Sequence, residues 1–295
     1  MQQPGCNGSV LITGCSSGFG KLIARTLGQR GYRVYASMRD VGTRNADAAR
    51  ELSEWGAAHG AAIDILELDV DSEVSVNRAV QNVSDTGGQI DIVVNNAAIT
   101  AWGPLEAFDF EQLSCVYNTN VFGPWRVNKA VLPQMRARRS GLIIHITSVV
   151  GRVLRSGSPY PASKWAVEGL AECMAHEVRP FGIDVVLLEP GAYPTAWVGR
   201  GMMPADKSIA EQYEAGGEPL AASAQPGPDY RYPDPQEVAD EVSRLAALPP
   251  GQRPLRTVVG HIFTEGVAEY NAAYEKMRCR LIEALTRPDQ ARPWL

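Results

Sequence analysis

The chain has 295 residues, 45% of them hydrophobic and 21% charged, with a formal net charge of -5; this is the balance of a folded globular protein and excludes a disordered or fibrous one. The negative balance gives no general attraction to phosphate backbones or anionic lipid, so a nucleic-acid partner is not expected. Cys6, Cys15, Cys115, Cys173 and Cys279 are scattered without CxxC spacing, which points to a reducing compartment rather than to a zinc site or a disulfide framework.

The opening MQQPGCNGSV has no apolar segment of signal-peptide length. No run approaches the roughly 18 apolar residues that a membrane span needs. The expected location is therefore cytoplasmic, with no membrane span.

From residue 9 onward, short β-branched runs alternate with stretches of helical period. The runs are SVLIT (9–13), YRVYASM (32–38), AIDILELDV (62–70), IDIVVNN (90–96), GLIIHITS (141–148) and IDVVLLEP (183–190). Strand and helix repeated in this way predict an α/β fold, a doubly wound parallel sheet of Rossmann type in three αβα layers. Several runs are apolar almost throughout, as strands covered on both faces must be.

Between the last two strands, residues 113–135 carry apolar side chains at helical spacing. They predict one long helix that Gly123-Pro124 can kink. Arg136 to Arg139 close it, where cations favour the helix dipole. After Pro190 the periodicity fails, and the Gly- and Pro-rich residues 191–235 predict a poorly structured substrate lid. A helix over 235–248, a last strand LRTVVG (255–260) and a helical tail from 264 complete a single domain over 1–263, with 264–295 as a C-terminal extension.

TGCSSGFG (13–20) leaves the first strand and opens a helix. In that setting Gly14 permits a tight turn, Gly18 lets the backbone approach a pyrophosphate, and Gly20 allows close helix packing, with the helix N-terminus facing the anion. An ordinary strand-to-helix turn also favours Gly and Ser. The second strand ends ASMRD, where a dinucleotide site reads the adenosine ribose. Met38 offers a ribose hydroxyl no useful acceptor, whereas Arg39 pairs with a 2′-phosphate and Ser17 can donate from the glycine turn. This pattern favours NADP(H) over NAD, with Asp40 as the one nearby charge that could repel the phosphate.

SPYPASKWAV (158–167) places Tyr160 and Lys164 on one face of a helix whose entrance is stiffened by two prolines, with Ser158 as its N-cap. A free phenol has a pKa near ~10, and a nearby ammonium stabilises the phenolate and draws that value toward the working range. Taken alone, such a pair is commonly a surface contact.

With its companions it is more specific. TGCSSGFG, NNAA (95–98), NTNVFG (118–123), ITSVVG (146–151), the Tyr160/Lys164 pair and EPGAYPT (189–195) stand in the order found in the short-chain dehydrogenase/reductase family, which the chain resembles over roughly residues 9–260. The resemblance implies Tyr160 as general acid and base, Ser148 bonded to the substrate oxygen, Lys164 holding the nicotinamide ribose, and Asn120 completing a water-linked proton relay. It also implies cofactor contacts from Ser16 and Phe19 in the glycine turn, from Asp69 and Val70 at the adenine, and from Asn96 and Ala97 at the adjoining ribose. Pro190, Gly191 and Thr195 would meet the nicotinamide end. Ala98 stands where the family usually has glycine, so a small local adjustment is expected there.

Within the family, YASMRD and the glycine turn are most similar to the NADP-using hydroxysteroid and retinol dehydrogenase branch, which implies a small apolar carbonyl or alcohol substrate and a homodimer or homotetramer. A non-redox epimerase or lyase and an inactive nucleotide sensor are the alternatives. His59, His145, His176 and His261 lack metal spacing, and His145 reads as a packed core residue. Trp102, Tyr193 and Trp197 either wall an apolar pocket or pack the lid.

Overall fold

Each strand alternates its side chains between two covered faces, and that alternation builds the layers. The computed structural model describes residues 7–153, 159–194, 201–215, 231–261 and 264–285. Ser158, Thr195 and Trp197, with parts of the expected lid and tail, lie outside the described residues.

The first half of the chain runs β1 (Ser9–Ile12), α1 (Gly18–Gln29), β2 (Arg33–Met38), α2 (Ala46–Ala58), β3 (Ile63–Glu67), α3 (Glu73–Asp85) and β4 (Ile92–Asn95). The second half runs α4 (Phe110–Tyr117), α5 (Gly123–Arg138), β5 (Gly141–Ile146), α6 (Pro159–Val178), β6 (Ile183–Pro190), α7 (Lys207–Ala215), α8 (Gln236–Ala247), β7 (Arg256–Val259) and α9 (Thr264–Leu285). Among the described residues seven strands form one parallel sheet in the order β3-β2-β1-β4-β5-β6-β7.

Val10, Ile12, Val94, Ile144 and Val186 point to one side and pack with Ile23 and Leu27 of α1, Leu52 of α2 and Val242 of α8. Leu11, Val93, Ile143 and Val185 point to the other and pack with Val76 of α3, Val131 of α5 and Ala171 of α6. The doubly wound, three-layer fold expected from the strand pattern is the one formed. Helix α9 lies against β7, at the open edge of the sheet.

Two expectations are corrected. The helix expected over 113–135 begins at Phe110 and is broken by a wide turn at Asn118–Phe122, where the Gly123 N–H reaches back to the Asn118 carbonyl. Pro124 stands directly after this turn, in the first turn of α5, where it has no N–H to bond back into the wide turn. The stretch 191–235 is not without structure either, because it contains α7. Asp206 starts that helix by accepting from the Ile209 N–H at 3.0 Å.

Ile144 lies fully buried in the middle of β5. Ile144→Ala is expected to cost about 2–5 kcal/mol through lost transfer energy and an unfilled cavity. Urea unfolding checks this as a lowered midpoint with an unchanged slope.

Candidate active site

Strand order reverses on either side of β1 and β4, so the carboxyl ends of these strands open a crevice. Into it projects the glycine turn. Gly14 and Gly18 adopt φ of +74° and +57°, the left-handed region that glycine enters without strain. A Cβ on Gly20 would overlap the Gly14 carbonyl oxygen, whereas one on Gly18 would meet nothing within 4 Å. One glycine therefore packs the helix tightly while the other leaves an open approach. Ser17 caps α1 without a side-chain bond, and no acidic residue occupies its first turn. The first N–H groups of α1 are thus not engaged by a cap or a carboxylate, which suits an anion.

The turn is anchored across the crevice. Thr13 Oγ1 accepts from the Asn96 and Ala97 N–H groups, each at 3.0 Å, and Asn96 Nδ2 donates to the Thr13 carbonyl at 2.8 Å and the Gly14 carbonyl at 3.1 Å. Asn96 and Ala97 thereby hold the glycine turn in place. Ala98 is not among the residues of positive φ, so the chain there needs no glycine.

Asn120 sits in the wide turn between α4 and α5 and is almost fully buried. Its Oδ1 accepts from the Ile99 N–H at 2.8 Å; its Nδ2 donates to the Ile99 carbonyl and to Ser163 Oγ, both at 2.9 Å. Ser163 Oγ in turn donates to the Tyr160 carbonyl at 2.7 Å. The Asn120 amide is therefore engaged in locking α6 to the end of β4, and a relay through this residue would have to run through its main-chain carbonyl.

Tyr160 and Lys164 are both buried, one turn apart on α6. Tyr160 is hydrogen-bonded with Ser148, which follows β5 and whose Oγ lies 3.4 Å from the Pro190 carbonyl at the end of β6. The Lys164 ammonium donates to the Ile146 carbonyl at 2.8 Å and lies 5.7 Å from the Tyr160 ring centre. Burial lowers its pKa to about 8 against the opposing charge of Glu168. The expectation that the ammonium draws the phenol down is not met: burial pushes the Tyr160 phenol well above its ordinary value, and the Ser148 bond offsets only part of that. The phenol is accordingly in its proton-donating form at neutral pH.

At the far end of the crevice Arg39 follows β2, half-exposed, with its guanidinium 3.7 Å from Asp71. Glu67 accepts from the Asp40 and Val41 N–H groups and so fixes the backbone just beyond it. Asp40 is exposed and takes φ of 56°, a conformation Asp tolerates better than most residues. Asp69 and Val70 border this end: Asp69 Oδ1 accepts from the Asp71 N–H at 3.0 Å and the Val70 carbonyl accepts from Arg126 at 3.1 Å. Gly191 follows β6 and donates its N–H to the Val259 carbonyl at 2.8 Å.

The aromatic residues separate. Trp102 lies with its ring centre 5.7 Å from that of Tyr160, and its backbone pairs with Met202 from the expected lid. Tyr193 instead packs edge-on against Phe19 at 5.5 Å and donates to Glu237 of α8 at 3.1 Å. His145 is buried, its pKa pulled down to about 3 by burial and by the Lys164 charge, in agreement with a core role. Thr13 and Ser163 were not singled out in the sequence, since a lone hydroxyl beside a glycine or a lysine carries no pattern of its own.

A family model described as short chain dehydrogenase matches residues 9–201. The chain is 40% identical over 192 residues to 3-ketodihydrosphingosine reductase of Bacteroides thetaiotaomicron, covering 64% of this chain and 65% of that one. It is 38% identical over 196 residues to retinol dehydrogenase 8 of Bos taurus, covering 65% and 61% respectively. The chain thus matches less than two thirds of the length of either relative. The solved structure of an alcohol dehydrogenase from the archaeon Thermococcus sibiricus, complexed with 5-hydroxy-NADP, is similar with a TM-score of 0.70 and 27% identity, covering 87% of this chain and 97% of that one. Among the described residues no helix is long and apolar enough to cross a membrane.

Thr13→Val keeps the shape but removes the acceptor shared by two N–H groups. It is expected to destabilise the protein by about 1–3 kcal/mol, read by chemical denaturation, with Thr13→Ser restoring most of the loss.

Proposed function

The chain belongs to the short-chain dehydrogenase family, and on that premise we propose that it uses NADP(H) to interconvert an alcohol with a ketone or aldehyde, with Tyr160 as proton donor and acceptor. One observation carries this reading: a buried phenol bonded with Ser148, with a buried ammonium one turn along, at the carboxyl end of the sheet that bears the glycine turn.

The residues fit such a cofactor. The open approach over Gly18 and the available N–H groups of the first turn of α1 suit a pyrophosphate, with Gly14, Ser16, Ser17, Phe19 and Gly20 forming the cradle. Arg39 would take the 2′-phosphate in exchange for its long contact with Asp71, and this supports NADP(H) over NAD. Asp69 and Val70 would border the adenine, Asn96 and Ala97 the adjoining ribose, and Pro190 and Gly191 the nicotinamide, with Thr195 completing the set. The cofactor would supply or accept the hydride, for which no side chain is competent.

In the reducing direction Ser148 and Tyr160 together hold the carbonyl oxygen, and the phenol gives its proton as the oxygen gains charge. A phenol is protonated at neutral pH, the form that this direction uses. An ammonium has three donors; one of Lys164's meets the Ile146 carbonyl, which leaves others for the ribose hydroxyls. In oxidation the phenol must first lose its proton, and the Ser148 hydrogen bond is the contact that eases that loss. Trp102 at the mouth and the retinol dehydrogenase relative support an apolar substrate. Assembly as a homodimer or homotetramer is assigned to α4, α5 and α6, which expose Phe110, Trp125 and Leu170.

Tyr160→Phe is expected to abolish turnover, followed as cofactor absorbance over a panel of ketones, aldehydes and alcohols, while leaving NADPH affinity nearly unchanged; an active Phe variant overturns the assignment. Loss of NADPH absorbance separates this reading from a non-redox family chemistry. Arg39→Leu should weaken NADPH binding roughly 10- to 150-fold, the equivalent of one charge-assisted hydrogen bond, and leave NADH binding unchanged in a fluorescence titration.

A further inference from the structure

Behind Lys164 lies a group of buried ions that the reaction itself does not use. Glu168 follows Lys164 by one turn on α6, and residues so spaced are neighbours on one helix face. Glu168 is 1% exposed and Glu189, next to Pro190 on β6, is 0% exposed. Arg256 of β7 ties them together: its Nε donates to Glu168 Oε2 at 3.0 Å and stands 3.6 Å from Glu189 Oε1, while its other arm reaches Glu172.

The tail closes this group. Asn271 of α9 donates to Glu189 at 2.6 Å and accepts from Arg152 Nε at 2.9 Å. Tyr274 donates to Glu172 at 3.1 Å, and the Arg152 guanidinium lies within 4.8–5.3 Å of the ring centres of Tyr270, Tyr274 and Trp165. Two carboxylates and two guanidiniums have thus been taken out of water, an arrangement that stability alone seldom favours over apolar packing. Glu168 Oε1, Glu189 Oε1 and one Arg152 nitrogen are buried without a hydrogen-bond partner, so the group is not fully bonded within itself.

We propose that Glu168 is a positioning residue that keeps the Lys164 ammonium charged in its buried seat, and that α9, through Asn271, holds the ion group in which Glu168 works. The C-terminal helix is then part of the active-site electrostatics and not an appendage. This rests on the role given to Lys164 above. Glu168 is the charge that acts on the ammonium, and His145 on β5 feels the ammonium in turn; Tyr160 lies one turn before Lys164 on α6, and Arg152, Glu172, Glu189 and Arg256 belong to the ion group beyond Glu168. His145 is neutral, because burial and the Lys164 charge hold its pKa to about 3. Burial raises the pKa of the Glu189 carboxyl, helped by the Glu168 charge. Glu168 is therefore the principal fixed counter-charge.

The test is a direct titration of Lys164 in the full-length chain labelled with 13Cε-lysine. The chain has five lysines, Lys21, Lys129, Lys164, Lys207 and Lys276, and the Lys164 signal is identified by its loss in Lys164→Arg. The midpoint is expected at about 8. Glu168→Gln removes charge at constant shape and should lower it by about one unit, with Glu168→Asp lying between the two. Asn271→Leu should lower it by about half a unit, since both a more neutral Glu189 and less compensated arginines disfavour the ammonium.

Glu172→Gln breaks the neighbouring Arg256 contact and, acting only through Arg256, should lower the Lys164 midpoint by less than Glu168→Gln does. An unmoved midpoint in Glu168→Gln, with unfolding at a lower temperature, reduces the group to a structural brace and overturns the proposal; an unmoved midpoint in Asn271→Leu overturns the role of the tail. Should Glu168→Gln not fold, Glu168→Asp decides on its own by shifting or not shifting. None of these readings requires turnover, so failure of the proposed reaction would be seen separately, as an inactive protein whose Lys164 still titrates as expected.

Discussion

The structure seats an ammonium where there is little water. Lys164 is 5% exposed, and an isolated buried charge would give up its proton rather than bear the cost of desolvation. The Ile146 carbonyl supplies one hydrogen bond and Glu168 the opposing charge. Both come from elements whose positions are set by other contacts: β5 by its place in the middle of the sheet, α6 by the buried face it turns toward that sheet. The phenol one turn earlier shares the same dry surroundings, which push its pKa up.

The rest of the crevice is held by bonds from side chains to backbone. Thr13 and Asn96 join the ends of β1 and β4, and Asn120 with Ser163 joins the end of β4 to α6. Except for the Asn120–Ser163 bond, which joins two side chains, each satisfies a peptide group that has left the sheet and would otherwise lack a partner. The same bonds fix the glycine turn against the phenol. Geometry across the crevice is thus set by the chain's own bonds.

Much of this was legible in the chain itself. Two-faced apolar runs such as IDIVVNN and GLIIHITS could only be strands covered on both sides, and the spacing of Tyr160 and Lys164 put them on one helix face whatever the surroundings. What it left open was local. Gly123-Pro124 looks like a kink because proline breaks helices, and the break falls just before it, in the wide turn at Asn118–Phe122. Tyr193 reads equally as pocket wall or lid packing, and only the fold shows its ring against Phe19 and its hydroxyl on Glu237.

Sequence alone determined the layering, the strand periods, the glycine turn and the presence of the Tyr160 and Lys164 pair, because each of these follows from residues near one another along the chain. Tertiary structure decided the direction in which the phenol and the ammonium shift, the use of the Asn120 amide as a lock, and the gathering of Arg152, Glu168, Glu189, Arg256 and Asn271 behind the lysine. Those residues come from a loop, two strands and two helices, and nothing local marks Glu189 or Arg256 as more than a charge in an apolar run. Burial and opposing charge are properties of the space around a group, and only the packed fold creates that space.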